Sequence, residues 1–403
     1  MRLSILVCAL ALVASQTQAA SARWIGTWAA SPAPPMQAAP PVFANLLAPP
    51  FNNQTLVQVV RVSAGGQRLR IRFTNEYGTK PLAIGAARVA LVGPDGASVP
   101  GSDRAVTFAG EKATTIPAGA PMVSDPVALP TTVLARLRIS LYLPGEAPIC
   151  TCHINGNELV QVAQGDWTER ATPAPSGPAQ YRAFLSGVEV ETAQPAKVIV
   201  TFGDSITDGY LSSVGANHRW PDRLAERLAA KYPGRAMAVA NAGIGGNRVL
   251  SDGPIAIFGQ SALTRFDRDV LAIPGATHVV LLEGVNDLGD SKTNPPTAQS
   301  LIVGYRQIID RAHAHGLKVI GATILPYGGA AYFGAPGEVE RQTLNAWIRK
   351  SGNFDGVIDF DAATRDPAKP DRMRADLQSG DWLHPNDAGY RAMGEAVDLS
   401  LFQ

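Results

Sequence analysis

The chain has few charged residues, and its two signs of charge nearly cancel. Asp, Glu, Lys and Arg make up 17% of the 403 residues, whereas roughly 25% is usual for a globular protein. The 35 basic and 34 acidic residues leave a formal net charge of +1. Proteins that bind nucleic acid by neutralising phosphates, or that bind membranes through polybasic surfaces, need a large positive excess. We therefore expect no nucleic-acid partner.

Long apolar runs are also scarce. One follows Arg2, from Leu3 to Ala14, and is too short to span a bilayer comfortably. Small residues then offer cleavage sites after Ala19 and Ala22, so residues 1–22 are predicted to be a signal peptide. An anchor helix is the alternative, which the length of the run disfavours. Since no later run is long enough to cross a membrane, we expect a secreted protein, periplasmic or extracellular, without a stable membrane anchor.

Only three cysteines are present, and one of them, Cys8, lies within the predicted signal peptide. It follows Val7 rather than a small residue, which argues against a lipoprotein site. Cys150 and Cys152 remain in the mature chain, and an oxidising compartment favours a disulfide between them. Two reduced thiols are the second alternative. A metal site with the adjacent His153 is the third, and it is disfavoured because no second ligand cluster is evident.

The first half of the mature chain has the pattern of short β-strands. Apolar and polar residues alternate strictly in Arg68–Phe73 and Arg136–Leu141, as in strands with one buried face. Further predicted strands are Leu56–Val62, Ala87–Val92, Leu159–Ala163 and Phe184–Val190. The pattern predicts an antiparallel β-sandwich over residues 23–193. A Pro-, Ala- and Ser-rich loop is predicted at 171–179, and the domain boundary near Gln194-Pro195.

Strands and helices alternate in residues 194–403. Predicted strands are Lys197–Phe202, Ala236–Ala240, Thr277–Leu282, Val319–Leu325 and Val357–Phe360. Predicted helices are Arg219–Lys231, Leu263–Leu271, Leu301–Ala312, Glu338–Lys350 and Asp387–Leu399. This order predicts a five-stranded, doubly wound parallel α/β sheet, in which ligands bind at the carboxyl ends of the strands.

Four short motifs lie at those ends or before the last helix. They are Gly203-Asp204-Ser205, the glycine-rich segment Asn241–Asn247, Gly284-Val285-Asn286-Asp287, and Asp381-x-x-His384. Each alone is typical of an ordinary polar turn. The glycine-rich segment lacks the G-x-G-x-x-G spacing of a dinucleotide loop. Together, the motifs supply a hydroxyl, backbone and amide donors, and an acid three residues before a base, as Ser-His-Asp chemistry requires.

The remaining histidines are weaker candidates for chemistry. His313 and His315 fall at a predicted helix C-terminus, where a cation suits the helix dipole. His278 opens a predicted strand. His218 lies in a loop before a helix and is kept as a candidate substrate contact.

With these motifs in this order, the C-terminal half resembles the SGNH (GDSL-type) hydrolases, whose fold is flavodoxin-like. Its first block has Ile206 in place of the family's leucine, a change of packing only. The segment Trp24-Ile25-Gly26-Thr27-Trp28 and the first Arg-rich strand resemble a secreted, two-domain branch of arylesterases and acylhydrolases similar to xylan-associated esterases.

The resemblance implies a role for each matching residue. Ser205 would be the nucleophile, His384 the base and then the acid, and Asp381 the group that orients His384. The oxyanion hole would comprise the backbone N–H groups of Ser205 and Gly246 and the side-chain amide of Asn286. No metal or organic cofactor is expected.

The implied function is hydrolysis of short-chain, acetyl-type esters of carbohydrates or aryl alcohols, with an acylated polysaccharide as one candidate substrate. A lipase or lysophospholipase, and a catalytically silent glycan-binding protein, are the alternatives. The β-domain could bind glycans, contribute residues to the cleft, or brace the catalytic domain. Composition and motifs give no oligomeric state.

Overall fold

The computed structural model describes residues 22–36, 48–170, 180–350 and 352–403. Residues 1–21 of the predicted signal peptide and the predicted loop at 171–179 lie outside the described residues. None of the helices within the described ranges is both long and apolar enough to cross a bilayer.

The N-terminal domain packs two antiparallel sheets face to face. The sheet orders are β1-β13-β3-β8 and β11-β2-β9-β5-β6. On the strand Arg68–Thr74 the apolar Leu69, Ile71 and Phe73 are fully buried in the core of the domain. The arginines that alternate with them are partly or fully exposed. The strands are β1 (Arg23–Ala29), β2 (Asn52–Arg61), β3 (Arg68–Thr74), β4 (Leu82–Ile84), β5 (Ala86–Val92), β6 (Arg104–Val106), β7 (Thr114–Ile116), β8 (Pro121–Val123), β9 (Arg136–Glu146), β10 (Cys152–His153), β11 (Gln161–Gln164), β12 (Arg182–Ala183) and β13 (Leu185–Thr192). The predicted sandwich is confirmed.

The C-terminal domain contains the predicted five-stranded parallel sheet. Its strands are β14 (Ala196–Gly203), β15 (Ala236–Gly243), β16 (Ala276–Leu282), β17 (Lys318–Ala322) and β18 (Gly356–Ile358), followed by a hairpin of β19 (Arg365–Asp366) and β20 (Lys369–Met373). The order is β15-β14-β16-β17-β18, so the chain reverses direction across the sheet between β14 and β16. Ligands of doubly wound sheets bind at such a reversal, and Ser205 follows β14 there.

Eight α-helices surround this sheet in the described part of the domain. They are α1 (Ser205–Asp208), α2 (Trp220–Lys231), α3 (Ala262–Phe266), α4 (Val285–Gly289), α5 (Ala298–Ala314), α6 (Ala335–Lys350), α7 (Phe360–Thr364) and α8 (Asp387–Ala396). The buried face of α5 carries Leu301, Tyr305 and Ile308, at the spacing that predicts it.

Several predicted elements differ from the structure at their ends, among them the predicted strand Val357–Phe360, which ends at Ile358 because Phe360 begins α7. The helix predicted at Leu263–Leu271 is α3 followed by a π-helical turn at Asp267–Leu271. The predicted strand Val319–Leu325 ends at Ala322. Beyond it, the Thr323 hydroxyl donates to Asp359 Oδ1, and Ile324 N donates to Asn345 Oδ1 instead of to a neighbouring strand. The last helix ends at Ala396 and a 3₁₀ turn follows it.

The two domains meet along β15, an edge strand of the parallel sheet. Ser63 of the N-terminal domain accepts a hydrogen bond from Val239 N at 2.8 Å, and its hydroxyl lies 2.9 Å from Val239 O. Arg61 pairs with Glu226 on α2 at 3.0 Å. An exposed strand edge otherwise offers unpaired backbone groups to other chains, so the β-domain covers this edge.

His278, on β16 away from the reversal point, provides a pH-dependent contribution to stability. It is 1% exposed and its Nε2 has no partner among the described residues. Burial, with repulsion from Lys197 and Lys318, lowers the pKa of His278 to about 4. The unfolded chain therefore binds the proton more readily, and stability falls as pH drops from 6.5 towards 4.

We expect a loss of about 2 kcal/mol over that interval, allowing for partial solvent screening. Urea unfolding at several pH values measures it. His278→Phe, which cannot titrate, should flatten this part of the profile, whereas His315→Gln, at an exposed histidine, should not. Equal slopes in wild type and His278→Phe would contradict the assignment.

Candidate active site

Ser205 lies at the tight turn between β14 and α1. Asp204 caps α1 by accepting a hydrogen bond from Ile206 N at 2.9 Å. Gly203 is needed because a Cβ there would lie 2.3 Å from the Leu282 carbonyl oxygen of the neighbouring strand. As the first residue of α1, Ser205 has no intrahelical partner for its backbone N–H. The turn therefore leaves both the hydroxyl and the N–H of Ser205 available at the sheet edge.

The loop before α8 brings a histidine and an aspartate to that serine. His384 Nε2 is 2.8 Å from Ser205 Oγ, and His384 Nδ1 is 2.6 Å from Asp381 Oδ2. The other carboxylate oxygen of Asp381 accepts the backbone N–H groups of Leu383 and His384, each at 2.9 Å. Trp382, which lies between Asp381 and His384 in the chain, has a φ of +60°, a left-handed conformation that folds the loop back on itself. One short loop thus fixes acid and base together.

The hydrogen bonds set the protonation states of this pair. Burial favours the neutral acid, but the bond to His384, the imidazole charge and the two backbone donors together hold the pKa of Asp381 well below its usual range. An ionised Asp381 accepts the Nδ1 proton of His384, which leaves Nε2 with a lone pair towards Ser205. The ring of Tyr210 packs edge-on against the His384 ring, with 4.8 Å between centroids. The imidazole is therefore held in the tautomer that can accept a proton from serine.

Two further residues with hydrogen-bond donors, Gly246 and Asn286, line the same cleft as Ser205. Gly246 has a φ of +75°, and a Cβ there would lie 2.4 Å from the Phe258 ring. Within the described ranges no group accepts the Gly246 N–H. Asn286 donates one amide hydrogen to Asn247 O at 2.9 Å, and its Oδ1 accepts the Tyr332 hydroxyl at 3.2 Å. Among the described residues no group accepts its second amide hydrogen, and Ser205, Gly246 and Asn286 all line the same cleft.

The cleft above these groups is lined mainly by apolar and aromatic surface, with a few polar side chains. Arg248 and Asp290 form a pair at 2.9 Å, and Asp290 is more than half exposed. The lining residues are Ile154, Asn155, Ser205, Tyr210, Gly245, Gly246, Arg248, Phe258, Asn286, Gly289, Asp290, Tyr332, Leu383 and His384. A mostly apolar cleft with a few convergent polar groups is typical of a small-molecule site.

The N-terminal domain forms part of this cleft, through Ile154 and Asn155. Cys150 and Cys152, just before them, are joined by a disulfide. Of the three alternatives for these cysteines, the structure has the disulfide, which leaves neither residue a thiolate to offer a metal. Among the described residues, no group of three or more His, Cys, Asp or Glu side chains is placed to bind a metal ion.

His153, discussed in the sequence only as a weak metal ligand, joins the two domains at the site. It is buried, with Nδ1 3.0 Å from Ser31 O and Nε2 2.9 Å from Asp208 Oδ1. A carbonyl only accepts, so Nδ1 carries a proton, and a second proton lies between Nε2 and Asp208. Burial opposes the charged ring, but Asp208 and the Ser31 carbonyl raise the pKa of His153 above its ordinary value. Asp208 Oδ2 in turn accepts Gly245 N at 3.1 Å.

Arg265 is the second residue that the motifs do not reveal. Its side chain is fully buried beneath the site and donates to Gly203 O and Ala242 O at 2.9 and 2.7 Å. It also binds Asn247 Oδ1 at 2.8 Å and Asp269 at 3.0 Å. The carboxyl ends of β14 and β15 and the loop after β15 are thereby held by one guanidinium.

Buried carboxyl groups surround that guanidinium. Burial, with repulsion from Asp287, raises the pKa of Asp204 to about 7, although Ile206 N–H and Arg265 oppose the shift. Burial and the neighbouring Asp204 also raise the pKa of Glu283 well above its ordinary value. The floor of the site is consequently a layer of buried carboxyl groups around one guanidinium, in which burial favours the neutral acids of Asp204 and Glu283.

His218, the candidate substrate contact, does not reach the cleft. Its side chain is more than half exposed and its Nδ1 bonds Asp387 Oδ2 at 2.7 Å. It is absent from the residues that line the cleft. His218 therefore positions the start of α8, and the expectation that it contacts substrate is not supported by its placement.

Comparison with known proteins accounts for this arrangement. Residues 201–392 match the GDSL-like Lipase/Acylhydrolase family. The matched segment covers slightly less than half of the chain and runs from the end of β14 into α8. All four sequence motifs, from the Gly203 turn to the Asp381–His384 loop, lie within the matched residues. No curated protein matches the chain.

Several solved structures are similar to about half of this chain. A lipase/acylhydrolase from Enterococcus faecalis is 25% identical, covering 50% of this chain and 92% of its own, with a TM-score of 0.39. Est24, a carbohydrate acetylesterase from Sinorhizobium meliloti, is 15% identical, covering 50% and 95%, with a TM-score of 0.40. The acetyl xylan esterase AlAXEase is 22% identical, covering 49% and 96%, with a TM-score of 0.38.

Proposed function

We propose that the protein is a secreted serine esterase that hydrolyses short-chain esters of carbohydrates or aryl alcohols through an acyl-enzyme. The observation that carries the proposal is the continuous hydrogen-bonded series from Ser205 to His384 to Asp381, with distances of 2.8 and 2.6 Å. Ser205, Gly246 and Asn286, the three residues that we propose as oxyanion donors, line the same cleft. An arrangement of nucleophile, base and orienting acid beside such donors suits acyl transfer.

The proposed reaction begins when Ser205 Oγ attacks the ester carbonyl carbon and His384 Nε2 takes the hydroxyl proton. The carbonyl oxygen becomes an oxyanion and is bound by Ser205 N–H, Gly246 N–H and the Asn286 amide. His384, now charged and facing Asp381, gives its proton to the departing alcohol oxygen. Water then attacks the acyl-serine, and the same groups return the enzyme to its starting state.

Two features support the proposed substrate class. Tyr210, Phe258 and Tyr332 present aromatic surface along the cleft, which suits the apolar face of a sugar ring or an aryl group. Asn155 and the Arg248–Asp290 pair add hydrogen-bonding groups. The apolar share of the lining also favours a second candidate, a lipase or lysophospholipase that accepts long acyl chains.

Acyl-chain length separates these candidates. We would measure hydrolysis of 4-nitrophenyl esters from acetyl to palmitoyl, and acetate release from acetylated xylan. A preference for acetyl with release from xylan supports the carbohydrate esterase. A preference for long chains supports the lipase, and no turnover of any ester supports the glycan-binding alternative.

Removing the Asn286 amide should slow the chemical step. Loss of one oxyanion donor costs about 10²- to 10³-fold in kcat in comparable sites. We therefore expect Asn286→Ala to lower kcat on 4-nitrophenyl acetate by that factor, with little change in KM, because the donor acts on charge that develops in the transition state.

Tyr332→Phe is the matched control, since it removes only the hydroxyl that bonds Asn286 Oδ1. The bond from Asn286 to Asn247 O remains, so the loss should stay below about tenfold. If Asn286→Ala kept kcat within threefold of wild type, its role as an oxyanion donor would be wrong.

A further inference from the structure

Asn155 is a buried polar residue whose side chain has no hydrogen-bond partner among the described residues. The residue is 6% exposed and lines the cleft. Nothing in the described ranges forms a hydrogen bond with its amide, whereas the amide of Asn286 in the same cleft bonds Asn247 O and the Tyr332 hydroxyl. The amide of Asn155 borders the cleft, where a ligand that displaced water from it would have to replace the hydrogen bonds of that water. An unpartnered amide that faces a cleft is therefore suited to a ligand.

The amide lies beside the proposed oxyanion hole. A Cβ built on Gly245 would be 2.6 Å from Asn155 Nδ2, so the amide rests directly over the residue before Gly246. The ester carbonyl oxygen is already provided with three donors in the proposed reaction. The group that meets Asn155 must then come from another part of the substrate.

The segment that carries Asn155 is fixed on both sides. Before it stand the Cys150–Cys152 disulfide and His153, whose two ring nitrogens are bonded to Ser31 and Asp208. After it, Asn157 Nδ2 donates to Gly209 O at 2.7 Å and lies 3.1 Å from Ser212 Oγ. The amide is thus held in position before substrate arrives, which lowers the entropic cost of binding.

We propose that Asn155 is a specificity-determining residue that binds a free hydroxyl group adjacent to the scissile ester. The inference rests on the proposed esterase function and names the alcohol class that it favours, a polyhydroxylated one. An amide offers one acceptor and two donor hydrogens, and a hydroxyl both donates and accepts, so the two groups can satisfy each other. A bound ester without such a hydroxyl would cover the amide and leave it unpaired. Sites built to bond a substrate hydroxyl reject analogues that lack the hydroxyl for this reason.

Two acetate esters with six-membered rings test the proposal. One is a mono-O-acetylated methyl xyloside, which has free hydroxyls next to the ester. The other is cyclohexyl acetate, which has none. We expect Asn155→Leu, a change of similar size, to lower the ratio of kcat/KM for the xyloside over cyclohexyl acetate by about tenfold or more.

Asn157→Ala is the control for a loosened domain contact. It removes the two side-chain bonds from Asn157 to Gly209 O and Ser212 Oγ, and Asn157 does not line the cleft. The disulfide and the His153–Asp208 bond still fix the segment, so the variant should leave the ratio within twofold of wild type. Asn155→Ala provides a second truncation should the leucine variant fail to fold, with circular dichroism as the check. A fluorophosphonate probe that labels Ser205 reports whether the catalytic groups remain assembled in each variant.

An unchanged ratio in folded, labelled Asn155 variants would overturn the proposal. So would an equal shift of the ratio in Asn157→Ala, because it would indicate a general effect of the domain contact. These results differ from failure of the esterase function itself, in which the wild-type protein would hydrolyse neither acetate and would not be labelled.

Discussion

The Ser205→Ala variant is expected to fold normally and to lose about 10⁴- to 10⁶-fold in kcat on 4-nitrophenyl acetate. The reason is that the change deletes the atom that forms the acyl-enzyme, and the remaining triad groups act with it as one unit. The three oxyanion donors persist, so a small residual rate over water is expected. The rate of 4-nitrophenol release by the purified variant measures the loss of kcat. Its melting temperature shows whether the variant folds normally.

Ser251→Ala is the matched control, since Ser251 is an exposed serine in the loop after the glycine-rich segment. It should keep wild-type kcat, and a fluorophosphonate probe should label it as it labels wild type. Wild-type turnover by Ser205→Ala would show that another group is the nucleophile.

Arg265→Met should produce the largest loss of stability among single changes at the site. Its guanidinium is fully buried and bonds Gly203 O, Ala242 O and Asp269. Removing one partner of a buried ion pair costs about 3–5 kcal/mol, and we expect the lower end of that range because Arg268 still pairs with Asp269 at 2.6 Å. Two strand ends also lose a hydrogen bond each, so we expect a melting temperature lower by about 10 °C.

Thermal unfolding followed by circular dichroism measures this effect. Arg374→Met is the control, because Arg374 is about half exposed and, among the described residues, forms an ion pair only with Asp376. Such a surface pair contributes less than about 1 kcal/mol. A melting temperature for Arg265→Met within 2 °C of wild type would contradict the idea that Arg265 balances the buried carboxyl groups.

Local pattern was sufficient to predict most of the fold. Strict alternation in Arg68–Phe73 identifies a strand with one buried face, and the apolar positions of Leu301–Ala312 identify a helix. Both patterns reflect what each segment buries, which is a property of the segment itself. The structure brings the motif residues Ser205, Asn286 and His384 to one cleft. Ser205 and Asn286 follow parallel strands, which deliver their carboxyl ends to one edge of the sheet, and His384 comes from the loop before α8.

The residues that were missed depend on contacts between distant segments. His153 and Asp208 are 55 positions apart and belong to different domains. Asn155 reaches the cleft only because one domain packs on the other, and no spacing in the sequence records that packing. Arg265 sits in the short helix α3, where an arginine ordinarily faces solvent, and only the folded loops around it make its position a buried one.

The placement of Asn155 also bears on how such proteins can be recombined. The matched family segment, residues 201–392, contains all of the residues that we propose for acyl transfer, whereas Ile154 and Asn155 of the cleft wall lie outside it. We therefore expect exchange of the β-domain to alter selectivity and to leave the proposed reaction unchanged. The residues proposed for the reaction therefore occupy a shorter part of the chain than the residues that line the cleft.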